Sequence, residues 1–183
     1  KLTLQKFYRI NGGSTQLRGV TPDIVVPDQL EYLKYREKDN PDALPWDEIQ
    51  KAPFTPFNPN YDIKAVKAAS QDRVKNDPYF NAVKTSTEWL EKVNDKEYSL
   101  NIAKYRDEQK KVRSTMKQLD EINKTKKELV IQTLAVDEQK FAGDADKLER
   151  RKSWTKSLSK DSYINEAVNV VNDMIRQGTM VKQ

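Results

Sequence analysis

Gly13-Ser14, inside the run Asn11-Gly12-Gly13-Ser14-Thr15, is where this 183-residue chain comes nearest to an activated hydroxyl. A serine nucleophile needs a base within hydrogen-bond reach and donors for an oxyanion. The basic residues near Ser14 in sequence are Lys6, Arg9 and Arg18, and the chain contains no histidine. Ser-His-Asp chemistry is therefore excluded within these residues, as is imidazole ligation of a metal. Cysteine is also absent, which removes thiol nucleophiles, disulfides and thiolate zinc sites. The run GGSTQLRG has neither the spacing of a phosphate loop nor a following helix. The carboxylate pairs Asp144 with Asp146 and Asp120 with Glu121 lack the ligand density of a calcium loop and read as surface charge. Ser14 reads as a turn serine, and no catalytic, cofactor-binding or metal-binding residue is assigned.

The elements that hold these residues differ along the chain. Leu2, Leu4, Tyr8 and Ile10 alternate with Thr3, Gln5 and Arg9, the period of a half-buried strand. Asn11-Gly12-Gly13 suits the positive φ of a tight turn, so Lys1 to Ile24 is predicted to be a β-hairpin with an extended exit from Val20 to Pro27. A short helix is expected from Asp28 to Arg36. Residues Asp39 to Asn60 hold five of the eight prolines and form an ordered connector. Trp46, in Ala43-Leu44-Pro45-Trp46-Asp47, reads as a packing anchor within it.

From Tyr61 onward the pattern is helical. Ile63, Val66 and Val74 share a face of a helix ending near Asn76, and Asp77-Pro78 supplies a cap and first turn for the next. That helix runs to about Val93, with Tyr79, Val83, Leu90 and Val93 inward. Ser99 is the expected cap of a long helix reaching Lys126 or Val136. Its stripe of Tyr105, Val112, Met116, Leu119 and Ile122 resembles a coiled-coil seam that the same chain buries. Gln139 to Lys160 is expected to be a flexible region, with helical stretches on either side of Gly143. A last helix, capped by Asp161 and stopped by Gly178, carries Ile164, Ala167, Val168, Val171 and Ile175 on one side.

Composition bounds the rest. Hydrophobic residues make up 36% and charged residues 33%, enough for one modest core under solvated helices. Mean hydropathy is −0.91, and no segment approaches eighteen consecutive apolar residues, so no transmembrane span is predicted. No charged-apolar-small leader opens the chain, and if the parent is exported its leader lies upstream. The net charge of +5 arises from 33 basic and 28 acidic residues in close mixture. The basic runs Lys124 to Lys127 and Arg150 to Lys152 are interrupted by acids and lack interleaved aromatics, so no nucleic-acid partner is predicted.

Four islands carry a family resemblance in family order: Lys1 to Ile24, Ala43 to Asp47, Tyr98 to Asn101 and Asp161 to Asn169. KFYRINGGSTQLRGVTPDI resembles the segment that follows the catalytic centre of tail-specific, carboxy-terminal processing serine proteases. Ala-Leu-Pro-Trp-Asp, Ser-Leu-Asn and DSYINEAVN are similar to later parts of that family, with Ser162 where its proline is expected. The resemblance implies that the nucleophilic serine and the general-base lysine lie upstream, the lysine in a Gly-Lys-Gly-Thr-Val-Gln-like run that this chain lacks.

The implied organisation is mainly α. Residues 1–27 are terminal strands of the catalytic platform, 28–60 a short helix and Pro-rich connector, and 61–183 a C-terminal helical domain. The implied parent is an ATP-independent endopeptidase of the bacterial periplasm or cell envelope, with a Ser-Lys dyad and a PDZ domain that engages substrate C-termini. No cofactor is implied. The expected partners are the remainder of the protease chain, protein substrates or an adaptor, and a second copy through the hairpin or the Tyr105–Ile122 stripe. The alternative is a stand-alone helical interaction module with no peptidase link. A hairpin cut from a larger sheet is further expected either to pair with another copy or to be the least protected backbone.

Overall fold

The computed structural model describes residues 4–31, 33, 36–56, 60–94, 97–124, 128–141 and 143–180. Six α-helices form among them: α1 (Ile63–Asn76), α2 (Pro78–Asn94), α3 (Ile102–Lys124), α4 (Ala135–Glu138), α5 (Ala145–Leu158) and α6 (Ser162–Met180). A single 3-10 turn spans Glu37–Asp39. The mainly helical expectation is met, while the predicted β-hairpin is not.

The helix boundaries follow from local chemistry. Asp62 accepts from the Lys64 amide at 2.8 Å and opens α1. Pro78 keeps Asp77 extended (φ −82°, ψ 123°) and so closes α1, and the Asp77 carboxylate then accepts from the Tyr79 amide at 2.7 Å to open α2. Asp161 caps α6 as predicted, accepting from Tyr163 and Ile164 amides at 2.8 and 3.1 Å. At α3 the cap is Asn101, two residues after the predicted Ser99. Its Oδ1 accepts from the Ala103 and Lys104 amides, while Ser99 Oγ accepts only from Asn101 N. After Gly143 the expected helical stretch is α5, capped by Asp144, whose carboxylate accepts from Lys147 N at 3.0 Å. Gly178 does not stop α6, which continues to Met180; its missing side chain admits a close approach, since a Cβ there would lie 3.0 Å from Asn60 Nδ2.

The N-terminal corrections have one cause, competition from local turns. Arg9 N donates to Gly13 O at 2.9 Å and Thr15 N to Phe7 O at 3.0 Å, which closes the predicted turn. Pairing stops there, because Leu17 takes φ 60° and Gly19 N donates back to Thr15 O, curling the second arm away. Only isolated bridges remain among the described residues, Tyr8 with Ser14 and Gly13 with Glu48. Leu2 and Thr3 lie outside the described residues. The predicted helix from Asp28 to Arg36 is instead a set of turns at its described positions, since the Asp28 side chain accepts from Leu30 N at 2.9 Å and diverts the backbone.

The core is small and aromatic. Tyr79, Phe80 and Val83 are buried together, with Val26, Val74, Met116 and Tyr163 packed against them. The rings of Tyr79, Phe80 and Tyr163 meet edge to face with centroids 5.4 to 6.2 Å apart. Residues 27–29 are drawn onto this cluster by polar groups at the ring tips: Tyr163 Oη donates to Pro27 O at 2.8 Å, and Gln29 Nε2 donates to Tyr79 Oη at 2.7 Å.

α6 packs on α1 through charge rather than through its apolar stripe. Arg73 donates to Glu166 from Nε (3.1 Å) and from its terminal amine (2.8 Å), and to Asp173 at 2.6 Å. Ser70 Oγ completes the shell of Glu166 at 2.7 Å, and Glu166 is only 5% exposed. The carboxylate hydrogen bonds, that of Glu166 foremost, raise the pKa of the Arg73 guanidinium further. The apolar row of α6 consequently faces outward, with Val168 42%, Val171 51% and Ile175 60% exposed.

Two outcomes follow. Arg73→Met strands a buried carboxylate and should lower unfolding free energy by about 3–5 kcal/mol, whereas the pair R73M/E166M should recover most of that loss in denaturant titrations. Burial, with Tyr79 and Asp28 nearby, holds the Tyr163 phenol up at about 12 against an ordinary 10.0. The unfolded chain therefore releases this proton first, and stability present below about pH 10 should fall as pH rises to about 12. Tyr163→Phe should flatten that slope while costing about 1 kcal/mol near neutrality through the lost hydrogen bond.

Candidate functional site

The residues singled out for their chemistry gather into a turn-and-connector unit at the N-terminal end. Ser14 is buried, with Oγ accepting from Gln16 N at 2.9 Å, and its amide donates to Asp47 O at 3.0 Å. Of its basic neighbours in sequence, Lys6 reaches Pro45 O at 2.7 Å and the Asp47 carboxylate at 3.1 Å, while Arg18 lies over the Trp46 ring at 3.7 Å. Both cations are engaged with the Ala43 to Asp47 run. In this arrangement Ser14 fixes a backbone turn.

Trp46 is the anchor the sequence suggested, and the structure adds what it anchors. Its indole Nε1 donates to Ser14 O at 3.0 Å, so the ring sits between the turn and Arg18. Asp47 accepts from Tyr8 Oη at 3.1 Å, and desolvation of the phenol, followed by that contact, raises the Tyr8 pKa. Gln16 Nε2 meets Glu37 Oε1, which ties the 3-10 turn to the same unit. Beyond Asp47 the connector runs beside the turn: Ile49 N donates to Gly12 O at 2.9 Å and Ala52 N to Ile10 O at 3.1 Å. The partner of the predicted first strand and turn is thus a segment far along the chain. A one-dimensional reading misses it because residues 46–52 carry no alternation, although the tryptophan itself was a usable signal.

The outer side of this unit is apolar. Leu4 is 81% and Phe7 78% exposed, and Ile10 and Val20 are exposed near them. A second apolar feature is a groove of about 610 Å³ floored by Val26, Val74 and Phe80 and rimmed by Lys75, Lys84 and Glu88. The Tyr105–Ile122 stripe divides. Met116 joins the core and Val112 is half-buried, while Tyr105 is exposed and meets Tyr98 edge-on at 6.2 Å. The side chains of Leu119 and Ile122 lie outside those described.

The remaining candidates disperse. Asp144 is held below the usual carboxylate range by the Lys147 backbone and ammonium, and Asp120 has its side chain outside those described. No group of three metal-ligating side chains gathers among the described residues. Of the basic runs, Lys126 and Lys127 lie outside the described residues, and Arg151 stacks over Trp154 at 4.3 Å. No described helix is long and apolar enough to cross a membrane.

Gly12 lets the connector approach the turn. It sits at φ +88°, and a Cβ there would overlap the Ile49 carbonyl oxygen. Gly12→Ala should therefore cost about 1–3 kcal/mol. Hydrogen exchange should report it as lost protection at the Ser14 and Ile49 amides, with the α1 and α6 amides unchanged.

Comparison with known proteins connects this unit to the helices behind it. The family model described as the C-terminal domain of tail specific protease matches residues 30–176. The tail-specific protease of Haemophilus influenzae is 42% identical over 85 residues, an alignment covering 44% of this chain and 12% of that relative. The chain thus aligns with only a small part of its relative's length. No solved structure matches. With most of its length, from the connector through the greater part of α6, falling inside the family match, the chain belongs to the family of C-terminal domains of tail-specific proteases.

Proposed function

We propose that this chain is the non-catalytic C-terminal region of an ATP-independent serine endopeptidase of the bacterial periplasm or cell envelope, one that cleaves proteins recognised by their C-termini. The Ser-Lys dyad and the PDZ domain belong to the polypeptide preceding Lys1. The chain supports the catalytic platform and contributes a docking surface for substrate or adaptor. The observation that carries this reading is the turn-and-connector unit. It is fastened to the connector by Trp46, Asp47 and Gly12, while Leu4 and Phe7 project as an apolar edge. An apolar edge on a fastened turn suits burial against a sheet of the same protein.

The engaged state of Lys6 and Arg18 supports the assignment of chemistry to the preceding polypeptide, because neither is a free base for Ser14. Terminal strands of the platform would then correspond to residues 1–27, and the helical domain to 61–183. Exposed Leu100, Ile102 and Tyr105 at the start of α3 favour a second, coarser reading, a helical module that binds a partner helix or its own copy. A sedimentation mass that stays monomeric over a wide concentration range would remove self-association from it.

The purified chain should show no peptidase activity, whereas the whole protease should cleave proteins that it recognises by their C-termini. Phe7→Asp in the whole protease should lower kcat/KM by about tenfold or more through loss of platform support. Proteolysis by the isolated chain that Ser14→Ala abolishes would overturn the reading.

A further inference from the structure

α6 is assembled inside out. It spans nineteen residues of which three are charged, and two of those, Glu166 and Asp173, turn inward to Arg73. The outward face carries Ile164, Val168, Val171 and Ile175, flanked by Asn165 and Asn172. Neighbouring α5 has the opposite character, with seven charged residues in fourteen. Water-facing helices of this protein are thus densely charged, and the outer face of α6 is an exception. Depletion of charge around an apolar row is the composition of a permanently covered surface.

The row has the geometry of a helix seat. Its intervals of four, three and four residues are those of a coiled-coil seam, and its eleven-residue step is about 16 Å long. We propose that this row receives an amphipathic helix from the part of the protease polypeptide that precedes Lys1. The proposal rests on the reading of the chain as the C-terminal region of a longer protease.

Area decides between an occupant in the same polypeptide and a second copy. The exposed side chains of the row amount to a few hundred Å². A stable interface between separate molecules needs about 800 Å² from each partner. A contact within one polypeptide escapes most of the association entropy, so a small seat suffices for it. The alignment with a relative of which it covers 12% leaves ample chain to supply the helix.

Val171→Cys in the whole protease, with Arg150→Cys as an exposed control on α5, tests this by maleimide labelling read out on the tryptic peptide. The Val171 cysteine should label at least about tenfold more slowly than the control, and the protection should survive dilution. Val168→Cys repeats the measurement should the first variant fold poorly. A photo-crosslinker at position 171 should join α6 to a peptide that precedes Lys1. Labelling as fast as the control overturns the proposal, as does protection that fades on dilution or a crosslink between two copies of α6. Peptidase activity measured on the same samples separates the two readings: activity with free labelling sinks the helix seat alone, and protection without activity sinks the peptidase reading alone.

Discussion

Arg73 is the group on which the arrangement of the helices turns. It stands near the C-terminal end of α1, and its two carboxylate partners belong to α6, 93 and 100 residues later. Taking Glu166 out of water is costly unless its oxygens are satisfied, and here Arg73, Ser70 and Asn169 satisfy them. Turning α6 over to bury its aliphatic row would recover about 25 cal/mol per Å² over a few hundred Å², several kcal/mol at most. Removing Arg73 from the arrangement as it stands would strand Glu166 in the interior at a cost of about 3–5 kcal/mol. The ion cluster fixes the angle at which α6 meets α1, with the aliphatic row turned outward.

The rest of the domain is arranged around this choice. With α6 committed to α1 through charge, the apolar core lies beside the ion cluster, where Tyr163, three residues before Glu166 at the start of α6, meets Tyr79 and Phe80 at the start of α2. Residues 27–29 are drawn in there because each phenol needs a partner, Pro27 O for Tyr163 and Gln29 for Tyr79. Polar satisfaction at the rim thus places residues 26–29 over a core too small to have recruited them by area.

Much of this was legible in the sequence, for physical reasons that differ by element. Asp77-Pro78 and Asp161 act within one helical turn, so the boundaries they set are readable from the letters. The turn at Asn11 to Gly13 is local in the same sense, and it formed. Its partner was hidden, because residues 46–52 are recruited by the Trp46 indole and the Gly12 approach rather than by alternation. The apolar row of α6 was legible but its facing was not, since periodicity marks an apolar row without saying which side is inward, and Arg73 is too distant in sequence to reveal its claim on Glu166. At the turn, Ser14 was legible as a turn residue by type, while the engagement of Lys6 and Arg18 with residues 45–47 needed three dimensions.

The two glycines that admit close neighbours have a joint mechanical meaning. Gly12 lies under the connector at Ile49, and Gly178 lies against Asn60, where the Asp62 amide also donates to Gln177 at 3.0 Å. The connector is thereby buckled to the turn unit at one end and to the far end of α6 at the other. Eight residue steps separate Ala52 from Asn60, and a fully extended chain of that length reaches at most about 29 Å. This is a leash of fixed length: whatever pulls on the turn unit can move it only so far before the load passes to the end of α6.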